Sequence, residues 1–89
     1  MKPWPDERIG ATLRALEAAC RENKIFMSGD QRVSESDAAY LLGLSGGGLK
    51  NLRHEGAAPV AYRMPINGAR VSYRLMDLAA WIESRRGEC

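Results

Sequence analysis

The 89-residue sequence has few of the residues from which metal centres and catalytic sites are usually built. It contains a single histidine, His54, and two cysteines, Cys20 and Cys89, which lie far apart and form no CxxC pair. A zinc site therefore has no recognisable ligand set. His54 also has no serine, cysteine or paired carboxylate at a spacing typical of catalysis. We expect neither an enzyme nor a cofactor-binding protein.

Long apolar runs are also missing. No run approaches the roughly 20 residues that a membrane-spanning helix needs, and Met1–Asp6 lacks the apolar segment of a signal peptide. The hydrophobic content of 45% is ordinary for a globular protein. We therefore expect one cytoplasmic domain over residues 1–89, with no membrane partner.

Acidic residues are absent between Glu55 and Asp77, although the net charge of the chain is only +2. Residues 1–45 carry six Lys/Arg against seven Asp/Glu, whereas residues 46–89 carry seven against four. A basic excess confined to one half of a small domain is typical of contact with nucleic acid. A solvated surface can produce a charge difference of this size as well.

Residues 33–56 are the stretch around which the chain is organised. Ser34 followed three residues later by Asp37 resembles a helix-capping box, and Gly43 is a natural helix stop because left-handed backbone costs glycine little. Two short helices joined by a tight turn are the anatomy of a helix-turn-helix, whose second helix can enter a DNA major groove. A helical hairpin that serves only as scaffold has the same pattern.

The second of these helices has an unusual start. Ser45 can cap it, but Gly46, Gly47 and Gly48 then occupy its expected first turn, where each glycine costs about 1 kcal/mol relative to alanine. One interpretation is a longer loop, with the helix starting near Leu49. The other is that bare backbone allows phosphates or base edges to approach closely.

When Leu49 and Leu52 face the core, a helical wheel puts Gly46 and Arg53 on the flank. The residues that it turns outward are Gly47, Lys50, Asn51 and His54. Lysine and asparagine on the outer face are residues that read bases, whereas an arginine on the flank is suited to a phosphate. The histidine on the outer face either contacts DNA or is an exposed helix-end histidine. The candidate DNA-binding residues of this region are Ser45, Gly46, Gly47, Lys50, Asn51, Arg53 and His54.

Residues 57–75 predict a β-hairpin wing. Segments 59–64 and 70–74 alternate with period two, and the Asn67-Gly68 pair between them is a strong hairpin signal. Tyr62, Met64, Val71 and Tyr73 are expected to face inward. Arginines then line the other face, where they could follow a DNA backbone or enter a minor groove. The candidate DNA-binding residues of the wing are Arg63, Asn67, Arg70 and Arg74.

Two further helices complete the predicted fold. Apolar residues at three- and four-residue spacing mark a helix over 6–23 after an arm that contains Trp4, and a last helix is expected over 76–86. The charged face of the first helix is either solvated or a partner surface. The predicted class is mainly α with a small β-hairpin (α+β): a winged helix-turn-helix preceded by an extra N-terminal arm and helix in residues 1–32.

Three motifs in this order resemble a known fold: VSESDAAYLLGLS, LKNLRHEG and VSYRLMDLAAWIESRR. Together they are similar to the winged-helix fold shared by MerR-type DNA-binding domains and the small excisionases of phages and integrative elements. The resemblance covers residues 33–86. It implies that the second helix reads the major groove, that the hairpin grips the neighbouring minor groove, and that the protein is an architectural factor. The triple glycine departs from the family pattern and favours the reading of DNA shape.

The resemblance also implies a role as a recombination directionality factor, which bends attachment-site DNA and helps an integrase to excise a mobile element. The expected partners are double-stranded DNA, further copies of the chain arranged head-to-tail on DNA, and the integrase. A small winged-helix transcriptional regulator is the alternative, although no long dimerisation helix follows residue 86. A protein-interaction adaptor that uses the first helix is a third possibility. DNA binding would place the protein at the bacterial nucleoid.

Overall fold

Helices make up most of the computed structural model, which describes residues 6–86. The predictions for the arm around Trp4 and for Cys89 lie outside these residues. The combination of helices with a small antiparallel sheet confirms the predicted α+β class. The elements are α1 (Asp6–Glu22), β1 (Arg32–Ser34), α2 (Glu35–Leu42), α3 (Gly46–His54), β2 (Ser72–Arg74) and α4 (Leu75–Ser84).

Helix α1 belongs to the hydrophobic core. Its apolar face buries Leu16 and Cys20, and the helix packs mainly against α4. A 2.6 Å hydrogen bond from the Thr12 hydroxyl to the Glu83 carboxylate also joins the two helices. Burial raises the pKa of the Cys20 thiol. The remaining core residues come from all the other elements: Val33, Ala38, Ala39, Leu49, Tyr73, Leu75, Leu78 and Ala79.

The signals that delimit α2 act as the sequence predicts. The Ser34 hydroxyl accepts a 3.2 Å hydrogen bond from the backbone N–H of Asp37. Gly43 ends the helix in the left-handed conformation, with φ of 77°, and the N–H of Leu44 returns to the carbonyl of Ala39 at 2.8 Å. These bonds satisfy backbone groups that the helix ends leave unpaired.

Helix α3 starts at the first of the three glycines. Ser45 is its cap, and its hydroxyl accepts a 3.0 Å hydrogen bond from the N–H of Gly48. The alternative in which the helix starts near Leu49 is therefore wrong, because capping and the burial of Leu49 outweigh the poor helix propensity of glycine. Leu49 is fully buried and Leu52 is half-buried, which confirms the predicted orientation of α3.

The two strands are distant in sequence and pair antiparallel, with Val33 opposite Tyr73. Residues 57–75 were expected to form a β-hairpin. Pairing within this stretch consists of two isolated bridges, Tyr62 to Ser72 and Ile66 to Ala69. Residues 59–71 are called here the hairpin segment. The predicted Asn-Gly turn is confirmed, since Asn67 and Gly68 both have positive φ, 49° and 88°.

A bulge explains the broken ladder. Three residues, 63–65, lie between the two bridges on one limb, whereas only two, 70–71, lie on the other. The third residue of the longer limb is Pro65, which has no N–H to donate. A bulge changes the direction of side chains. Met64, which was expected to face inward, is therefore 54% exposed, and Ile66 is buried instead.

Among residues 6–86, no helix is long and apolar enough to cross a membrane.

Candidate nucleic-acid interface

A basic groove of about 440 Å³ lies between α3 and the hairpin segment. Its cationic side chains are Lys50 and Arg53 from α3 and Arg63 and Arg70 from the hairpin segment. The single carboxylate that lines it belongs to Glu35, at the start of α2. The fold thus brings together four of the predicted DNA-binding residues, which come from two separate stretches of sequence. The remaining lining residues are Ser34, Ser36, Ala69 and Val71.

Arg53 and Glu35 form an ion pair within this groove. The Arg53 Nε and Nη2 atoms donate to the two Glu35 oxygens at 2.6 and 3.1 Å, and the Tyr73 hydroxyl donates to the same carboxylate at 2.7 Å. The Arg53 guanidinium holds the pKa of Glu35 below its ordinary value. Burial and then the bond to Glu35 raise the pKa of Tyr73. This cluster fixes α3 against α2 and β2, so Arg53 is tied to the scaffold.

The outer face of α3 is free of the core. Gly46, Gly47, Lys50, Asn51 and His54 are all exposed. They follow the outward positions of the predicted helical wheel, with Gly46 on the flank. The exposed face of α3 therefore presents a lysine, an asparagine and a histidine. The start of this face carries only glycines.

Glycine is not required by the fold at the first two positions of α3. A Cβ atom added to Gly46 or Gly47 would meet nothing within 4 Å, and neither residue has a positive φ. Gly48 differs, because a Cβ there would lie 3.0 Å from the Ser45 hydroxyl that caps the helix. Two exposed glycines thus weaken α3 without relieving any contact inside the protein.

Arg74 lies apart from the groove, although it was predicted to share a face with Arg63 and Arg70. Its guanidinium donates to Asp30 at 3.1 Å and lies over the Tyr62 ring, 5.5 Å from the centroid. Asp30 also accepts from Arg32 at 2.9 Å. The Ser28 hydroxyl and these arginines hold the pKa of Asp30 well below its ordinary value.

The other predicted residues of the interface do not line the groove. Asn67 borders a separate cavity of about 270 Å³, together with the exposed ring of Phe26. The Ser45 hydroxyl is engaged in the helix cap. Within residues 6–86, no three histidine, cysteine or carboxylate side chains lie close enough to hold a metal ion.

Comparison with protein-family models, curated protein sequences and solved structures gives no match.

Sequence reasoning missed Glu35, which supplies the carboxylate that lines the groove. Glu35 directly follows the cap residue Ser34, so it lies in the first turn of α2. The helix dipole stabilises an acidic side chain at this position. Nothing local indicates that this carboxylate meets an arginine 18 residues later and a tyrosine 38 residues later. The pairing of β1 with β2 brings Tyr73 to Glu35, and the packing of α3 against α2 brings Arg53 there.

Proposed function

We propose that this protein binds double-stranded DNA with α3 and the hairpin segment, and that it works as a winged helix-turn-helix architectural factor. The observation that carries the proposal is the groove lined by Lys50, Arg53, Arg63 and Arg70 with one carboxylate. Glu35 is already neutralised by Arg53, so the groove offers net positive charge to a ligand. A polyanion is the ligand class that such a surface attracts most strongly.

The position of the groove suits one strand of a duplex backbone. In B-DNA, a single sugar-phosphate backbone separates a major groove from the adjacent minor groove. A helix in the major groove and a hairpin in the minor groove therefore hold that backbone between them. Arg63 and Arg70 contact its phosphates in this arrangement, which sets the register of the protein on DNA.

The exposed face of α3 then lies against base edges. Asn51 and Lys50 have the hydrogen-bonding groups that read adenine and guanine in the major groove. The bare backbone at Gly46 and Gly47 allows the start of α3 to approach DNA more closely than any side chain would permit. Close approach of this kind favours the reading of DNA shape.

We place this DNA binding in excision of a mobile element, in line with the resemblance of residues 33–86 to small excisionases. One module contacts only about 600–1,000 Å² of DNA, so a few cationic side chains give weak and salt-sensitive binding. Useful affinity then comes from copies bound side by side on repeated sites. The opposite charge balance of residues 1–45 and 46–89 favours a head-to-tail contact, and an integrase acts on the bent DNA. Such a protein works at the bacterial nucleoid.

Selection of bound duplexes from a random-sequence library, followed by footprinting on the DNA that flanks the native gene, tests the proposal. We expect a selected duplex to bind in a salt-sensitive manner. We also expect protection of direct repeats beside an attachment site. Protection confined to a promoter would replace excision by transcriptional regulation. Failure of every duplex to bind would reject DNA binding itself.

Cooperative assembly is tested by gel shift with one-site and two-site duplexes. Removal of α1 is unsuitable as a perturbation, because Leu16 and Cys20 belong to the core. Substitution of the exposed acidic residues Glu7 and Glu22 by lysine leaves that core untouched. We expect the wild type to occupy two sites cooperatively and the substituted protein to lose part of that cooperativity. Independent occupation of the two sites by the wild type would rule the assembly out.

A further inference from the structure

Met64 is an exposed apolar side chain at a rigid point of the basic hairpin segment. It is 54% exposed and lies in the bulge between the two bridges, next to Arg63 of the groove. Pro65, the following residue, is exposed as well. Two adjacent apolar residues thus face solvent on the element that carries two of the groove arginines.

The backbone of Met64 is fixed from the inside of the protein. Its carbonyl accepts hydrogen bonds from the Ser72 hydroxyl at 3.1 Å and from the Arg32 guanidinium at 3.4 Å. Ser72 is fully buried and Arg32 nearly so. Arg32 also donates to Ser72 at 2.9 Å and to Asp30 at 2.9 Å. This network turns the carbonyl inward, and the bulge leaves the side chain pointing outward.

Methionine and proline are among the side chains that minor-groove proteins insert between base pairs. Insertion removes an apolar side chain from water and partly unstacks one base step, which kinks the duplex. The cost of ordering the inserted side chain is small when its backbone is already held in place. Arg63 and Arg70 can meanwhile neutralise phosphates on the flanking backbone.

We propose that Met64, supported by Pro65, is a wedge that enters one base step of the minor groove and kinks the DNA. The inference rests on the proposed function and adds to it the physical origin of the bend. Flexible pyrimidine–purine steps are the substrate that this wedge favours, since they unstack most easily.

The experiment compares the wild type with Met64→Ala on a duplex selected from a random-sequence library by the wild type. Dyes on the two duplex ends report the bend, and the fluorescent base aminopurine within the site reports unstacking. Met76→Ala is the matched control, because Met76 is 47% exposed on α4, outside the hairpin segment. Met64→Leu keeps an apolar side chain of similar size, and thermal melting checks that each variant folds.

We expect the wild type to bend the duplex by an angle in the range of about 20–90° that is typical of wedge proteins. Met64→Ala should lose at least half of this angle and the aminopurine signal, whereas Met64→Leu and Met76→Ala should retain both. Equal bending by Met64→Ala and the wild type, with salt-sensitive binding intact, would overturn the wedge and leave the proposed function standing. Absence of salt-sensitive binding in the wild type would overturn both.

Discussion

Substitution of the first two glycines of α3 by alanine should stabilise the protein and weaken its binding to DNA. Both positions are helical, and an added Cβ would meet nothing within 4 Å at either one. Each Gly46→Ala or Gly47→Ala change should therefore raise the free energy of unfolding by up to about 1 kcal/mol, through helix propensity and a less flexible unfolded chain. For a domain of this size, about 1 kcal/mol corresponds to a rise in Tm of roughly 4–8 °C.

The same methyl groups should weaken binding, because they stand where the backbone of α3 approaches DNA in the proposed complex. The loss of one close contact at a base edge costs about 1–3 kcal/mol, or a rise in Kd of roughly 5- to 150-fold. Thermal melting measures the gain in stability, and fluorescence anisotropy with a selected duplex measures the loss in affinity. A variant that gains stability and loses affinity would indicate that these glycines serve function rather than stability.

Gly10→Ala is the matched control for this pair. Gly10 lies inside α1, and an added Cβ there would make only an ordinary 3.6 Å contact with the Arg14 side chain. This variant should gain similar stability and keep full affinity. Alanine at Gly46 and Gly47 with raised Tm and unchanged Kd would refute close approach of DNA to the start of α3. A fall in Tm would refute the propensity argument.

Three other predictions concern the groove and its support. Lys50→Ala or Asn51→Ala should weaken specific binding by about 1–3 kcal/mol with an unchanged circular dichroism spectrum, and full affinity in a folded variant would remove that residue from the reading face. Arg70→Ala should lower affinity on all sequences alike and reduce the slope of log K against log salt by about one unit, whereas a change in specificity alone would mean that Arg70 reads bases. Because Arg53 lowers the pKa of Glu35 from its ordinary value of 4.5, the stabilisation from their ion pair should be complete above that pH and disappear as the pH falls below it. Urea unfolding should therefore show that Glu35→Gln lowers the free energy of unfolding by about 1 kcal/mol at neutral pH and by less in acid. A constant difference between variant and wild type across this pH range would contradict the ion-pair explanation.

The parts of the fold that follow from short-range chemistry could be predicted from the sequence. The cap at Ser34, the left-handed stop at Gly43 and the Asn67-Gly68 turn each depend on residues within four positions of one another. The orientation of α3 followed from the spacing of Leu49 and Leu52. Local signals of this kind do not depend on which distant segment packs nearby, so they survive in the folded chain.

The parts that sequence reasoning missed depend on contacts between distant residues. Ser72–Arg74 pairs along its whole length with Arg32–Ser34, about 40 residues earlier, whereas only Ser72 pairs with its neighbour in the predicted hairpin, Tyr62. That pairing fixes Tyr73 beside Glu35 and takes Arg74 to Asp30. Period-two alternation was a poor guide in residues 59–64, because one extra residue in a bulge reverses which side chains face the core.

Of the candidate site, the sequence indicated the residue types and the two elements that carry them. It could not show which arginines are free. Arg63 and Arg70 are exposed, whereas Arg53 and Arg74 are held by carboxylates from other elements. Free and paired arginines look identical in a charge pattern, and only the folded chain distinguishes them.

The salt dependence of DNA binding tests the central claim most directly. Lys50, Arg63 and Arg70 are the groove cations without a carboxylate partner among the ion pairs of the described residues. The proposal places Arg63 and Arg70 on phosphates, and two phosphate contacts predict a slope of log K against log salt of about −2 for the wild type. The double variant Arg63→Glu/Arg70→Glu should lose most of this slope and most of its affinity. Arg14→Glu/Arg21→Glu, on the exposed face of α1, changes the net charge equally and should keep the slope. Equal losses in the two double variants, or a wild type without salt-sensitive binding, would contradict DNA binding through the groove between α3 and the hairpin segment.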